Sequence, residues 1–217
     1  MNKMKKIAAI VAFSAASIGS ATAETSANVA VTTDYVDRGI SYSDGAPAIQ
    51  GGVDYEHESG FAAGVWGSSI DDTAGDAGIE IDLYASFSVT LNEFGYSLGY
   101  INYRAPGGDT GTSSNVSEIY LGATYQNYGV TYYMGDNDLD ADYLELTANF
   151  DMNRDARLSF GAGYTFNDVG DDITDFKVAI STQIEGLDME LAYTDTDISN
   201  PTNAQDSRVF FTVSKSM

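Results

Sequence analysis

The sequence predicts an all-β protein: a transmembrane antiparallel up-and-down β-barrel of about twelve strands, preceded by a cleaved signal peptide. Three observations support this fold class. The chain begins with a secretory leader, its remainder is built from segments of alternating polar and apolar residues, and the connections between those segments alternate between long and short. Alternation is the signature of a half-buried strand, and sorted loop lengths are typical of an outer-membrane barrel.

The first 23 residues have the three parts of a signal peptide. Lys3, Lys5 and Lys6 precede an apolar run over residues 7–18, and small residues at 21–23 come directly before Glu24. About a dozen apolar residues are too few to cross a bilayer as a helix. We therefore expect cleavage after residue 23, which leaves residues 24–217 as a single barrel domain.

The clearest strand covers residues 79–91, where odd positions are apolar and even positions carry a polar atom. At a tilt of about 40°, some ten such residues span the ~25 Å apolar band of an outer membrane. Eleven further segments repeat the pattern, weakly at the third, and give the even strand number that single-chain bacterial barrels require. They are residues 28–35, 49–56, 61–70, 94–100, 118–125, 130–134, 144–150, 158–164, 176–184, 187–193 and 209–213.

The connections give a second, more discriminating signal. The long ones are residues 39–47, 71–78, 105–115, 135–142, 167–172 and 196–205, and the short ones are 58–60, 92–93, 127–129, 153–156 and 185–186. Twelve strands give this order when both termini are periplasmic and the long loops face outward. A soluble β-sandwich could show the alternation, but it has no reason to sort its loops by length.

Charge and cysteine content exclude several classes of function. Cleavage removes three lysines and no acid, so the net charge changes from −22 to −25. Such a chain repels phosphates, which excludes nucleic acid as a partner. The sequence has no cysteine, hence no disulfide and no thiolate for metal binding or catalysis.

Several motifs carry a resemblance to a known family. From Tyr35 onward the chain has Arg-Gly-Ile-Ser at 38–41, Pro-Ala-Ile-Gln-Gly-Gly at 47–52 and Gly-Val-Trp-Gly-Ser at 64–68, followed by Glu-Ile-Asp-Leu-Tyr at 80–84 and Glu-Ile-Tyr-Leu-Gly at 118–122. This order resembles the TorF-like porins, and the resemblance implies a porin-type transport barrel in the outer membrane of a Gram-negative cell. It supplies no solute and no catalytic residues. The chain departs from the usual barrel in closing on Ser216-Met217 rather than on an aromatic residue, and Lys215 interrupts the last apolar face.

The parity of each strand predicts which charges face the lumen. The inward acids are Asp34, Asp54, Glu56, Glu80, Asp82, Glu118, Glu145, Asp151, Asp175, Asp188 and Glu190, and the inward bases are Arg38, Arg157, Lys177 and Arg208. Eleven acids against four bases predict an acidic lumen that favours cations over anions. The function that follows is a porin-like channel for passive diffusion of small solutes.

Eight of these residues are expected near the outer mouth: Asp34, Arg38, Glu80, Asp82, Glu118, Glu145, Lys177 and Arg208. Acids and bases brought together there would form a pore constriction with a transverse field. The alternative is that they pair across a narrow barrel and fill it, because twelve strands lie between the filled interior of eight and the channel of sixteen. That alternative describes a non-conducting structural or adhesive barrel with acidic surface loops.

One outer loop is a candidate metal site. Asp136, Asp138, Asp140 and Asp142 alternate along the chain and could offer oxygen ligands to Ca²⁺ or Mg²⁺. The run lacks the bend glycine and the twelfth-position glutamate of an EF-hand, so the simpler interpretation is solvated loop charge. The sharper hypothesis is that divalent ions bridge this loop to lipopolysaccharide. No other cofactor is expected, and the oligomeric state is left open.

The aromatic residues and the single histidine complete the sequence picture. The many Tyr and Phe predict girdles at the two membrane interfaces. Trp66 has inward parity, so it belongs either to a girdle or to a platform on which a sugar could stack. His57 is the only histidine and lies beside a short turn, where a serine nucleophile paired with it would be far from the outer leaflet. We therefore expect no enzymatic activity.

Overall fold

Twelve antiparallel strands form a closed barrel. The computed structural model describes residues 23–71, 78–106, 114–136, 141–152, 156–168 and 170–217. Within these ranges, no helix combines the length and the apolar character needed to cross a membrane. The barrel consists of β1 and β4 to β14, and a separate two-stranded sheet consists of β2 and β3.

The strands have the following bounds: β1 Glu24–Thr32, β2 Val36–Asp37, β3 Ile40–Ser41, β4 Ala48–Glu56, β5 Phe61–Ser69, β6 Ile79–Leu91, β7 Phe94–Ala105, β8 Ser114–Tyr125, β9 Tyr128–Gly135, β10 Ala141–Asp151, β11 Ala156–Asn167, β12 Ile173–Ile184, β13 Leu187–Thr196 and β14 Arg208–Ser216. A single 3₁₀ turn, Asn203–Gln205, lies between β13 and β14. Each strand from β4 to β14 pairs with its neighbours in sequence, so the barrel is an up-and-down meander.

Closure depends on β1, which pairs with both β4 and β14. Asn28 lies opposite Gly52 on one side and Ser216 on the other. Beyond the last strand, the backbone of Met217 exchanges two hydrogen bonds with Ala27, at 3.0 and 2.8 Å. The terminal residues therefore continue the seam, and the barrel has no free strand edge.

The two faces of the wall have opposite chemistry. Apolar side chains such as Ile49, Val209 and Leu121 point outward and are 67%, 64% and 53% exposed, whereas Glu80 and Glu118 on the inside are 0% and 1% exposed. A soluble protein would bury the first set and hydrate the second. The outer surface thus suits hydrocarbon, and the predicted closed barrel and the inward parity of its wall strands are confirmed.

Aromatic side chains form belts around the exterior at both ends of the barrel. Near the short turns, Phe94 stacks on Tyr125 with ring centroids 4.6 Å apart, and Tyr128 meets Phe150 at 6.1 Å. Near the long loops, Tyr164 meets Phe166 at 4.7 Å. Two aromatic belts separated by an aliphatic band are typical of a membrane barrel, as the composition predicted.

The turns also follow the prediction, with all long connections at one end. Glu185 and Gly186 form a two-residue turn with φ of 52° and 75°, the type I′ geometry that matches strand twist. Lys215, which was expected to interrupt the last apolar face, does point outward. Its amine nevertheless donates a 2.7 Å hydrogen bond to the carbonyl of Gly186, so the charge reaches the polar end of the barrel.

Inside the barrel, tyrosine side chains pack closely against glycines of the adjacent strand. Tyr143 covers Gly163, and Tyr120 covers Gly99 in the same way, because a Cβ at either glycine would collide with the ring. Glycine within a strand commonly marks such a close approach. This packing holds the tyrosine rings against the wall. The centre of the lumen is therefore left for the connection between β1 and β4.

Candidate pore constriction

The connection between β1 and β4 folds into the lumen. It was expected to begin at residue 39, but β1 ends at Thr32, and residues 33–47 turn inward as a unit that we call the inner hairpin. Its strands β2 and β3 pair only with each other. Arg38 and Gly39 form the tip with φ of 45° and 76°, another type I′ turn. A left-handed backbone is common for glycine and unusual for arginine, so the hairpin tolerates strain at the position that carries its charge.

The Arg38 guanidinium is held by the barrel wall. Its two terminal nitrogens donate to the two carboxylate oxygens of Glu118, each at 2.8 Å. Tyr103 donates to the same carboxylate at 2.8 Å. The guanidinium carbon lies 4.1 Å from the ring centroid of Tyr143 and 5.1 Å from that of Tyr133. A forked ion pair against aromatic faces is a strong form of cation recognition.

The base of the inner hairpin is tied at a second charge pair. Asp34 accepts hydrogen bonds from Ser41 at 2.5 Å and Ser43 at 3.0 Å. Its other oxygen accepts from Arg208 on β14 at 2.5 Å, and the two side chains are 7% and 10% exposed. The network fixes the direction in which the hairpin leaves the wall.

Tyr35 links the hairpin to the nearby wall strands β5 and β6. Its hydroxyl donates to Glu80 at 2.8 Å, and its ring meets Trp66 edge-on with centroids 5.4 Å apart. Tyr35 was expected on the lipid-facing side of an extended first strand, and that expectation is wrong because the chain has already left the wall. Trp66 faces the lumen and belongs to neither girdle.

Of the eight predicted constriction residues, Asp34 and Arg38 belong to the inner hairpin itself, and five lie on the wall around it: Glu80, Asp82, Glu118, Glu145 and Arg208. Lys177 is the exception, because its amine pairs at 2.7 Å with Glu190, nearer the short-turn end. Sequence reasoning missed Tyr103, Tyr133, Tyr143 and Asp37. Strand parity could have predicted the three tyrosines as lumenal residues. Asp37 lies in the hairpin, where no periodic signal marks it.

Several carboxylates in the constriction are buried without full hydrogen bonding. Asp82 is 0% exposed, and neither of its oxygens has a hydrogen-bond partner among the described residues; one oxygen of Glu80 is in the same state. Asp37, which belongs to the hairpin and not to a wall strand, is also buried. Desolvation raises its pKa well above the ordinary value of 3.8, the nearby Arg38 opposes that shift, and the carboxylates of Glu118, Asp175 and Glu80 reinforce it.

A cavity of ≈ 290 Å³ lies between the inner hairpin and the short-turn end of the barrel. Tyr35 and Trp66 form part of its lining, together with Lys177, Glu190 and small polar residues of β12 and β14. The lumen therefore has two zones, a constriction packed around the hairpin and a polar vestibule beyond it.

The candidate metal loop is described only at its ends. Asp138 and Asp140 lie outside the described residues. Asp142 accepts hydrogen bonds from Tyr132 at 2.6 Å and from the Gly135 amide at 3.0 Å, so both of its oxygens stabilise the β9–β10 connection. Across the described ranges, no group of three or more His, Asp or Glu side chains is placed to hold a metal ion.

His57 forms a local turn. Its Nδ1 lies 2.8 Å from the Ser59 hydroxyl and accepts the Ser59 amide at 3.2 Å. Both side chains are exposed at the short-turn end. The geometry of the turn therefore accounts for the contacts of this ring nitrogen, and these contacts do not require a catalytic serine.

Comparison with known families identifies a match that covers most of the chain. Residues 16–217 match the family described as "Bacterial protein of unknown function (Gcw_chp)". The chain belongs to this family. The resemblance to TorF-like porins is not confirmed at the level of the family. The comparison with curated proteins gives no match.

Solved structures share the fold. The chain is similar to the KdgM porin, with a TM-score of 0.64 and 10% identity over 88% of this chain and 99% of that one. The KdgM porin in complex with disordered oligogalacturonate gives 0.60 and 10% over 89% and 99%. The NanC porin gives 0.58 and 10% over 87% and 97%. At this identity the likeness establishes the fold shared by this Gcw_chp member and those porins.

Proposed function

We propose that this protein is an outer-membrane channel of a Gram-negative bacterium, exported by its signal peptide, through which small solutes diffuse passively. The observation that carries the proposal is the opposite chemistry of the two barrel faces. A closed wall with aliphatic side chains and aromatic belts outside suits lipid, and the carboxylates and small polar side chains within suit water and solutes. The porin folds of similar structures support the same function.

The lumenal charge favours cations. Each of the four lumenal bases is paired with a carboxylate: Arg38 with Glu118, Arg208 with Asp34, Lys177 with Glu190 and Arg157 with Asp151. Seven further lumenal carboxylates have no ion-pair partner among the described residues: Asp54, Glu56, Glu80, Asp82, Glu145, Asp175 and Asp188. The field of these uncompensated acids attracts cations and repels anions.

This charge balance also separates the protein from one of its structural neighbours. The KdgM porin has been solved with oligogalacturonate, a chain of acidic sugars. A polyanion entering the present lumen would meet unpaired carboxylates at the constriction and in the vestibule. We propose that the solutes are small and cationic or neutral.

A second candidate function is a non-conducting structural barrel. It is favoured by the burial around the inner hairpin, where Glu80, Asp82 and Tyr103 are 0%, 0% and 1% exposed. Under the channel proposal the hairpin is a constriction that moves to admit solutes. Under the alternative it is a permanent plug.

Single-channel recording in planar bilayers with a KCl gradient tests both functions. We expect discrete conductance steps and a reversal potential of the sign that a cation-preferring pore gives. A matched variant in which residues 36–41 are replaced by a Gly-Ser linker should conduct more. If neither protein gives steps, the barrel is structural, and a reversal potential of the opposite sign would overturn the cation preference.

We also propose that the loop at residues 136–142 binds Ca²⁺ or Mg²⁺ and bridges the barrel to lipopolysaccharide. Asp142 already accepts hydrogen bonds from Tyr132 and Gly135, so an ion bound at this loop would share the Asp142 oxygens with those contacts. Calcium should raise the melting temperature in lipopolysaccharide-containing membranes, and chelator should lower it. Equal melting temperatures would end this proposal.

A further inference from the structure

We infer that the barrel wall contains a binding site for a guanidinium group of a solute, formed by Glu118, Tyr103, Tyr133 and Tyr143. In the present structure Arg38 of the inner hairpin occupies this site, which we call the guanidinium cage. A solute that carries a guanidinium binds there when the hairpin withdraws. The inference rests on the proposed channel function, since it names the chemical class of one transported solute.

The carboxylate of Glu118 is arranged for a planar fork and not for a point charge. Both of its oxygens accept from separate guanidinium nitrogens at 2.8 Å. Tyr103 donates to one of those oxygens and so fixes the plane of the carboxylate. A guanidinium can donate two parallel N–H bonds to such a group, whereas an ammonium is a compact charge without that geometry.

The aromatic side of the cage adds a second element of recognition. Tyr143 and Tyr133 are 2% and 7% exposed, and their rings lie 4.1 and 5.1 Å from the guanidinium carbon. A desolvated cation against tyrosine faces gains cation–π energy that a hydrated surface cation does not. Tyr143 is also held in place, because its hydroxyl donates to Asp175 at 3.1 Å and its ring lies over Gly163.

The site and its occupant belong to separate parts of the molecule. Glu118, Tyr103, Tyr133 and Tyr143 lie on β8, β7, β9 and β10, four consecutive wall strands joined by continuous ladders. The strands of the inner hairpin form no ladder with the wall. The cage is therefore preorganised by the barrel and persists when the hairpin moves, which makes Arg38 a tethered competitor for a solute.

The test empties the cage and offers it free cations. The Arg38→Ala variant in detergent micelles is titrated by calorimetry with methylguanidinium and, separately, with methylammonium. We expect methylguanidinium to bind this variant roughly tenfold more tightly than methylammonium, and more tightly than it binds the wild-type protein. The Arg38→Ala/Glu118→Gln double variant should lose this preference.

Two outcomes would overturn the inference: equal affinity for the two cations, or a methylguanidinium affinity unchanged by Glu118→Gln. Folding is checked by heat-modifiable migration on a denaturing gel. If Arg38→Ala does not fold, Arg38→Lys keeps the charge without the fork, and methylguanidinium should compete with the lysine at millimolar concentration. Calorimetry measures binding independently of conductance, so the two proposals can fail separately. Selective binding without conductance would reject the channel and support the guanidinium cage. Conductance without selective binding would support the channel and reject the cage.

Discussion

At the scale of single residues, Asp82 is the most costly side chain in the constriction. It is fully buried, and neither carboxylate oxygen has a hydrogen-bond partner in the part of the chain that the structure describes. A buried charge without a partner destabilises a fold, and a native structure retains such a group where function requires it. In a cation-preferring lumen, that function is attraction of the solute.

We expect Asp82→Asn to stabilise the barrel by about 1–3 kcal/mol under alkaline conditions, where the buried carboxyl must carry its charge without a partner, and to reduce the cation preference there. Urea unfolding in micelles and the reversal potential measure the two effects. The matched control is Asp54→Asn, since Asp54 accepts a charge-assisted hydrogen bond from Tyr84 that neutralisation weakens. Equal stabilisation by both variants would show that general charge repulsion, and not the isolation of Asp82, sets the cost.

Asp37 makes docking of the inner hairpin dependent on pH. Its pKa is raised when the hairpin is docked, chiefly by desolvation, so the docked state binds the proton more tightly. The contribution of Asp37 to docking is therefore fully present below the ordinary aspartate pKa of 3.8 and is lost as pH rises through the higher pKa of the docked state. Acid should close the constriction.

Trp66 provides the measurement, because it is the only tryptophan and contacts Tyr35 of the hairpin. We expect its fluorescence to change as pH rises from about 4, in parallel with conductance. In the Asp37→Asn variant the change should be much smaller. A change of the same size in that variant would assign the pH response to another group.

At the scale of elements, strand faces were predictable and the inner hairpin was not. Residues 79–91 show why, since a period of two places Glu80 and Asp82 on the same face as soon as the strand is recognised. The same rule gives the wrong side for Tyr35, because it extends the outward parity of β1 past the end of that strand. The Tyr35 hydroxyl instead bonds Glu80, 45 positions away in the chain. Likewise the pairing of Arg38 with Glu118 joins residues 80 positions apart. Contacts of that kind depend on barrel closure, which local periodicity does not encode.

The hairpin as an element should be released by breaking its basal ion pair. Arg208→Gln leaves the buried carboxylate of Asp34 without its cation, and breaking a buried pair costs up to roughly 3–5 kcal/mol. We expect longer open times and a larger mean conductance. Arg157→Gln is the matched control, because Arg157 and Asp151 are 56% and 72% exposed and such pairs contribute little. Similar conductance in the two variants would mean that the Asp34–Arg208 pair does not hold the hairpin.

At the scale of the whole molecule, selectivity reflects two populations of carboxylates. Asp54, Glu56 and Asp188 lie toward the short-turn end and are partly exposed, whereas Glu80 and Asp82 are buried beside the hairpin. Salt screens exposed charges far more than buried ones. The two populations should therefore separate when ionic strength is changed.

We expect the ratio of cation to anion permeability to fall as KCl rises from about 0.1 M to about 1 M, because the Debye length shortens from ~10 Å to ~3 Å. The ratio should level off at a value above one. At a pH where the buried acids are ionised, the remaining preference belongs to them, so the Glu80→Gln/Asp82→Asn variant should lose it while keeping the salt-dependent part. The Asp54→Asn/Glu56→Gln variant should do the opposite. Reversal potentials at several salt concentrations measure all three proteins. A preference that is independent of salt in every protein would place selectivity in the geometry of the constriction and not in the lumenal field.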